Sequence, residues 1–248
     1  MNTRDLQKRL LPDIGNDNER TRVEWLEKTL RAIPSGLKIL DAGAGECQFK
    51  KFCDHLEYVS QDFGQYDGIG NANGIQTKIW DNTKLDIVSD ITNIPVPDKS
   101  FDAIMCTEVF EHIPDPVSAI KEFQRILKPD GYLIITAPFC SLTHFAPYHF
   151  STGFNKYFYE HNLKEAGFSI SEITPNGNYF KYIAQEIRRI PYVSERYGAK
   201  KTNLFQKGIF YIMLMIIKSL AKNADSSKDL LCFGYHVVAR KNKNYVAK

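Results

Sequence analysis

Apolar positions along the chain fall into two kinds of run. Val23, Leu26, Leu30 and Ile33 recur at helical spacing behind Asn16, Asp17 and Asn18 as candidate caps, and Pro34-Ser35-Gly36 stops that run. Short continuous apolar stretches then alternate with polar segments. Leu37–Leu40, Leu56–Ser60, Leu85–Val88, Phe101–Cys106 and Tyr132–Thr136 read as five strands, with Ser169–Ile173 and Tyr235–Ala239 as two more. A helix through Phe49 and Phe52 is expected after the first strand. A second helix buries Val117, Ile120, Phe123 and Leu127, with Asp115 as cap and Pro116 at its first position, where a missing N–H costs nothing. A third runs from about Thr152 to Ala166 and is closed by Gly167. Lys128–Gly131 reads as a turn. Alternation of this kind with short connections predicts an α/β fold with a mainly parallel sheet covered on both faces. Residues 64–82, rich in Gly, Asn, Asp and Gln, read instead as a long loop, which inside a compact domain is often functional.

Composition narrows the picture modestly. The 248 residues are 43% apolar and 25% charged, as in an ordinary globular protein, and a net charge of +3 is too small to imply a nucleic-acid stripe without excluding one. Five scattered cysteines, with no Cys-x-x-Cys pair, suggest reduced thiols and a cytoplasmic protein; the polar N-terminus gives no signal-peptide pattern. Gly208–Ile217 is almost wholly apolar but about half the length of a bilayer-spanning helix. It is expected to be a buried helix, a pocket wall or an interface, with peripheral membrane contact as the alternative. The chain is expected to be one domain: a helical cap over 1–36, a binding core over 37–175, an insertion over 176–230, and a last strand with a basic tail over 231–248.

The chemistry concentrates at the strand ends. Lys38-Ile39-Leu40-Asp41-Ala42-Gly43-Ala44-Gly45-Glu46 is an apolar strand breaking into a glycine-spaced acidic turn, the form of a nucleotide site in an α/β sheet. Cys47 stands near the place of the third glycine of a dinucleotide fingerprint, which suits a nucleoside without a pyrophosphate better than NAD. Asp62, after Gln61, lies about 20 residues beyond the turn, where a carboxylate can accept from both ribose hydroxyls. Asp90 can accept from an adenine amine while Ile91 offers an apolar face to the base. Glu108 ends the fourth strand, so acidic groups stand at four successive strand ends.

These strings, together with Phe101-Asp102, the block Thr107–Pro116 and Leu127–Leu133, resemble the class I S-adenosylmethionine-dependent methyltransferases of the type 11-like branch. The resemblance covers roughly Leu37 to Ile173. It implies a Rossmann-like seven-stranded sheet with an antiparallel last strand and a helical insertion before it. It implies S-adenosylmethionine at Asp41, Gly43, Ala44, Gly45, Gln61, Asp62, Asp90 and Ile91, with Thr107 and Glu108 flanking its methionine end. A narrower likeness, in Pro138-Phe139, Pro147–Phe150, Asn162–Phe168 and Gly234–Lys241, is to bacterial methyltransferases associated with surface-polysaccharide assembly. It implies a saccharide or a nucleotide- or lipid-linked sugar as acceptor.

Methyl transfer to a sugar hydroxyl gains from a base. His112 is the first candidate, with Glu111 to orient it; His149 is an alternative base. Tyr148 and His144 are candidate substrate contacts, and His55 and His236 read as structural. Glu108, Glu111 and His112 also resemble the Glu-x-x-Glu-His motif of small-RNA 2′-O-methyltransferases, which would add a divalent metal with His149 as a further ligand. The absence of a basic domain counts against RNA. A phenolic or quinone-precursor acceptor, with the aromatic stretch Phe139–Tyr159 as its pocket, and a non-catalytic partner protein complete the alternatives.

Overall fold

A computed structural model describes residues 11–77 and 79–244. In chain order the regular elements are α1 (Asn18–Arg31), β1 (Lys38–Ala42), β2 (Glu57–Asp62), β3 (Ile87–Val88), β4 (Phe101–Thr107), α2 (Pro116–Ile126), β5 (Leu127–Pro138), α3 (Lys156–Glu165), β6 (Phe168–Asn176), α4 (Tyr179–Tyr197), α5 (Leu204–Leu220) and β7 (Gly234–Lys241). One seven-stranded sheet runs in the order β3-β2-β1-β4-β5-β7-β6. Pairings from β3 to β5 are parallel, and β7 runs antiparallel to β5. The winding reverses between β1 and β4. In an open α/β sheet the crevice beyond the carboxyl ends at such a reversal is where ligands bind.

The described residues pack as two units, one within 23–174 together with 234–244 and one of 11–22 with 175–233. In the first, Leu26 and Leu30 of α1 pack with Ile39, Phe49, Phe52, Ala103, Met105 and Ile134, so helix and strands share one apolar layer. In the second, Ile14, Ala184, Ile187 and Leu214 form a smaller cluster.

Several local readings need correction. The helix expected through Phe49 and Phe52 is a single 3-10 turn, Lys50–Phe52. Gly45 and Cys47 both have positive φ, at 50° and 56°, which breaks helical propagation, although Phe49 and Phe52 still reach the core. The third strand shrinks to two residues because the Asp86 side chain takes over the pairing: it accepts from the Ser60 N–H and Oγ, both at 2.8 Å. Lys128–Gly131 is no separate turn; it lies inside β5 as an irregularity between the Phe101–Leu127 and Ala103–Tyr132 pairs. The third predicted helix starts later, at Lys156, where the Asn155 side chain caps it.

The connector 93–100, which follows the site residues Asp90 and Ile91, is fastened from α2. Arg125 donates to the Ile94 and Val96 carbonyls at 3.0 and 2.8 Å, and pairs with Glu122 at 2.7 Å and Asp98 at 2.8 Å. Glu122 in turn accepts from the Ile94 N–H at 2.7 Å. Arg125→Ala should therefore lower the unfolding free energy by about 1–3 kcal/mol, since it leaves two carbonyls and a buried carboxylate short of donors. Denaturant titration checks this, and an unchanged midpoint contradicts it.

Candidate active site

A crevice of about 680 Å³ opens beyond the ends of β1, β2 and β4. That volume suits a ligand of nucleoside size. Its walls include Gly43, Gln61, Asp62, Asp90, Ile91, Glu108 and His112.

The floor is built around Asp62. Its Oδ2 accepts from the Gly45 N–H at 3.0 Å and its Oδ1 from the Gly64 N–H at 2.9 Å. The carboxylate thus bridges the turn after β1 and the loop after β2, and each oxygen keeps a lone pair for a ligand hydroxyl. Gly43 and Ala44 donate to the Gln61 carbonyl at 2.8 and 2.9 Å, which closes the turn onto β2. Gly43 has φ +81°, and a Cβ there would lie 2.3 Å from Val109 Cγ2. Glycine is required at that position for conformation and for space alike. The Gln61 amide donates to the Ser89 carbonyl at 2.8 Å, while its buried Oε1 has no hydrogen-bond partner. An acceptor left over at a cavity wall is the kind of group a ligand donor satisfies.

Asp41 is different. It is 2% exposed and absent from the crevice wall, and its Oδ2 accepts from Tyr58 Oη at 2.6 Å. Burial pushes its pKa up to about 7, with the Asp62 charge adding to the rise and the Tyr58 bond opposing it. Ala44 and Thr107 are buried and also stand behind the wall. Asp90 is exposed and accepts from Thr92 N and Oγ1 at 2.8 Å each, which holds it at the rim, whereas Ile91 is buried beside it. Glu108, at φ +55°, accepts from Thr136 Oγ1 at 3.0 Å.

Of the predicted catalytic group only His112 lines the crevice; Glu111, His144 and His149 gather beside it off the wall. His112 stacks on Phe145 with ring centroids 4.9 Å apart and meets His144 edge-on at 4.6 Å; His149 lies 4.8 Å from His144. Glu111, 1% exposed, sits beneath them, its Oε1 3.7 Å from His112 Nε2 and 3.8 Å from His144 Nε2. His112 Nδ1 is 2.6 Å from the Tyr148 carbonyl. Burial, reinforced by His144, lowers the His112 pKa to about 3, so this imidazole is neutral at ordinary pH. His149 is lowered too, by burial and then by His144, and its Nε2 is 3.2 Å from Ser141 Oγ. Glu108 is not part of this grouping: Glu111, His112 and His144 are the residues brought together. His55 and His236 lie apart from the crevice wall, one bonded to the Ile33 carbonyl at 3.0 Å, the other stacked on Trp25.

Sequence reasoning missed Phe63, Gln65, Trp80 and Val109, which complete the wall with Tyr148 and Phe150. Trp80 was findable: it is one of two tryptophans in the chain and stands in an otherwise polar loop. It packs against Tyr66 and Phe145, and its ring lies 2.9 Å from where a Gly45 Cβ would be. Gln65 and Trp80 thus bring this loop to the crevice wall.

Residues 40–135 match the family profile described as a methyltransferase domain. A ubiquinone biosynthesis O-methyltransferase of Xanthomonas oryzae pv. oryzae is 27% identical over 105 residues, which are 41% of this chain and 43% of that protein. The chain thus spans under half the length of that curated relative. Among solved structures, a SAM-dependent methyltransferase from Archaeoglobus fulgidus superposes with a TM-score of 0.54 at 17% identity, over 90% of this chain and 94% of that one. Phosphoethanolamine N-methyltransferase 2 of Haemonchus contortus, solved with S-adenosyl-L-methionine, gives 0.52 at 17% identity over 90% and 52%. At these identities the structural likeness is one of fold.

The two buried aspartates should respond differently to mutation. Asp62→Ala removes the acceptor of two backbone N–H groups and is expected to cost about 2–4 kcal/mol. Asp41→Asn, at a carboxyl half-neutral near pH 7 that keeps an oxygen for Tyr58, should cost under about 1 kcal/mol. Equal losses in denaturant titrations contradict this ranking.

Proposed function

We propose that the chain, whose residues 40–135 match a methyltransferase-domain profile, is a class I S-adenosylmethionine-dependent O-methyltransferase acting on a hydroxyl of a small acceptor. The crevice residues fit the cofactor: Gly43 and Gly45 clear space for a close approach, Asp62 has lone pairs for ribose hydroxyls, and Gln61 Oε1 has unused acceptor capacity. Ile91 gives an apolar surface to a base. When bound, S-adenosylmethionine supplies an electrophilic methyl group on a positively charged sulfur. Everything else falls to the chain's own groups.

The observation that supports hydroxyl transfer is His112, neutral on the crevice wall with Glu111 and His144 behind it, since a neutral imidazole nitrogen accepts a hydrogen bond from a hydroxyl and fixes its direction. Holding nucleophile and methyl in line turns a two-body encounter into an effectively one-body step. Glu111, buried beneath both rings, favours the partial positive charge that an imidazole gains as it draws on that proton. Phe63, Tyr148 and Phe150 keep water from the mouth and offer flat apolar faces.

For the acceptor, the polysaccharide-type strings Pro147–Phe150 and Gly234–Lys241 support a saccharide or a nucleotide- or lipid-linked sugar. A second reading, a phenolic ring, is favoured by the aromatic wall and by the O-methyltransferase named among the relatives. Sugars and phenols share the hydroxyl and the flat face that the mouth would recognise.

A panel of nucleotide sugars, glycans and catechols incubated with the methyl-labelled cofactor decides between them, the product being read by mass. A gain of one methyl on a hydroxyl is expected; transfer only to amines or carbon contradicts the reading. His112→Ala should lower turnover ten- to a hundredfold while cofactor affinity in calorimetry stays within about twofold. Unaltered turnover removes His112 from the step.

A further inference from the structure

The imidazole cluster gathers two histidines and a buried carboxylate in the geometry of a metal-ligand set. A carbonyl oxygen only accepts, so the 2.6 Å contact from His112 Nδ1 to the Tyr148 carbonyl puts the ring proton on Nδ1. His112 Nε2 then carries a lone pair, and it is buried with no hydrogen-bond partner. His144 Nδ1 lies 2.8 Å from the Leu142 carbonyl, which places a proton on Nδ1 and leaves Nε2 as the nitrogen on the Glu111 side. The two Nε2 atoms lie 3.7 and 3.8 Å from Glu111 Oε1. One ligand atom from each of three side chains, one of them a buried carboxylate, thus lies within 4.8 Å of the others.

We propose that Glu111, His112 and His144 form a binding site for one divalent transition metal ion of the zinc class. Imidazole nitrogens with a carboxylate oxygen are the ligand set of three-ligand zinc sites, which keep a fourth position open. Backbone carbonyls that hold the distal N–H of each histidine are the usual support of such ligands, because they fix tautomer and ring direction. Ligand atoms about 2.0–2.2 Å from a tetrahedral ion stand roughly 3.3 Å apart. The two measured pairs are thus a few tenths of an ångström too wide, and the ligand atoms as a set, within 4.8 Å, close further by side-chain rotation at the partly exposed His144. His149, 4.8 Å from His144 and engaged with Ser141, is not required as a ligand. Of the three ligands only His112 also lines the crevice, which puts the site next to the acceptor space. A metal held by these residues would supply Lewis-acid chemistry beside the acceptor space, lowering the pKa of any hydroxyl that reached it. Only this last role rests on the O-methyltransferase reading; the binding site does not.

The test measures metal directly. Full-length protein stripped with a chelator is titrated with Zn²⁺ against a chromophoric competitor. One equivalent per chain should bind, and His144→Ala and Glu111→Gln should each weaken it at least tenfold, while His55→Ala leaves it within about twofold. Circular dichroism of each variant separates a lost ligand from a lost fold, and His144→Asn serves as a second, milder variant. Absence of stoichiometric binding, or binding that both His144 variants leave intact, overturns the proposal and leaves a proton in the cluster. Because metal binding is read without turnover, an inactive protein that still binds Zn²⁺ tells against the proposed reaction and not against the site.

A different observation carries a second inference. The apolar run 208–217 is not buried as the sequence reading expected: among α5 residues only Leu214 is buried, while Phe205, Ile212 and Ile216 are 76%, 58% and 55% exposed. Leu214, Phe210 and Ile217 turn toward Ile14, Ala184 and Ile187, and the exposed residues occupy the remaining arc of the helix. With the turn that follows it, this helix spans Leu204–Asn223, long and apolar enough to cross a bilayer. Its setting is basic. Residues 179–230 hold ten Lys and Arg against four Asp and Glu, in a chain whose total charge is only +3. We infer that α5 lies on an anionic lipid surface, apolar arc inserted and Lys207, Lys218 and Lys222 beside the headgroups. In flotation with phosphatidylglycerol-containing vesicles the full chain should bind, release with salt, and lose binding in Ile212→Asp/Ile216→Asp. Equal binding to pure phosphatidylcholine, no binding to either vesicle, or retention through high salt and carbonate as a spanning helix would show, overturns this inference.

Discussion

The Asp62 carboxylate is the latch on which the site depends. It ends β2 and holds the Gly45 and Gly64 amides at once, so the turn after β1 and the loop after β2 cannot move independently. A neutral side chain could accept the same bonds, but a charged acceptor makes them roughly twice as strong. The same oxygens remain available to a ligand, which means that structural and binding roles share one group. Parallel pairing of β1 with β2 and β4 sets the frame in which this latch closes, and the reversal of winding between β1 and β4 leaves the space beyond it open.

At the other end of the crevice the constraint is the reverse: groups that repel are held together. Stacking on Phe145 and anchoring to the Tyr148 carbonyl fix His112 beside His144, and the low pKa of His112 is the cost of that crowding and burial. Such a neutral, lone-pair-bearing ring is a poor strong base and a good ligand for a hydroxyl proton or a cation. Packing of aromatic residues from the 64–82 loop and from Phe145 maintains the arrangement.

Much of this was legible in the sequence because the signals were local. The strand breaking into Asp41-Ala42-Gly43-Ala44-Gly45 and the Asp115-Pro116 helix start depend on neighbours in the chain, and both are found where the pattern put them. Legibility failed where distant groups decide. Asp41 stands at a strand end like Asp62, but Tyr58 draws its carboxyl away from the crevice, and no spacing rule encodes that bond. His144 ranked below His149 on position alone, yet the path of the 139–150 segment brings His144 to Glu111. The exposure of α5 also escaped the pattern, since an apolar run does not reveal whether protein or something else covers it.

The central claim is that the crevice beyond β1, β2 and β4 receives an adenosine bearing a sulfur-centred cation. A crystal of the full chain grown with S-adenosylmethionine or its demethylated product tests it most directly. The account predicts ribose hydroxyls on the Asp62 carboxylate, the base against Ile91 and the sulfur toward the His112 side. Density for the ligand elsewhere, or an Asp62 carboxylate left facing only Gly45 and Gly64 with the ligand present, would contradict it.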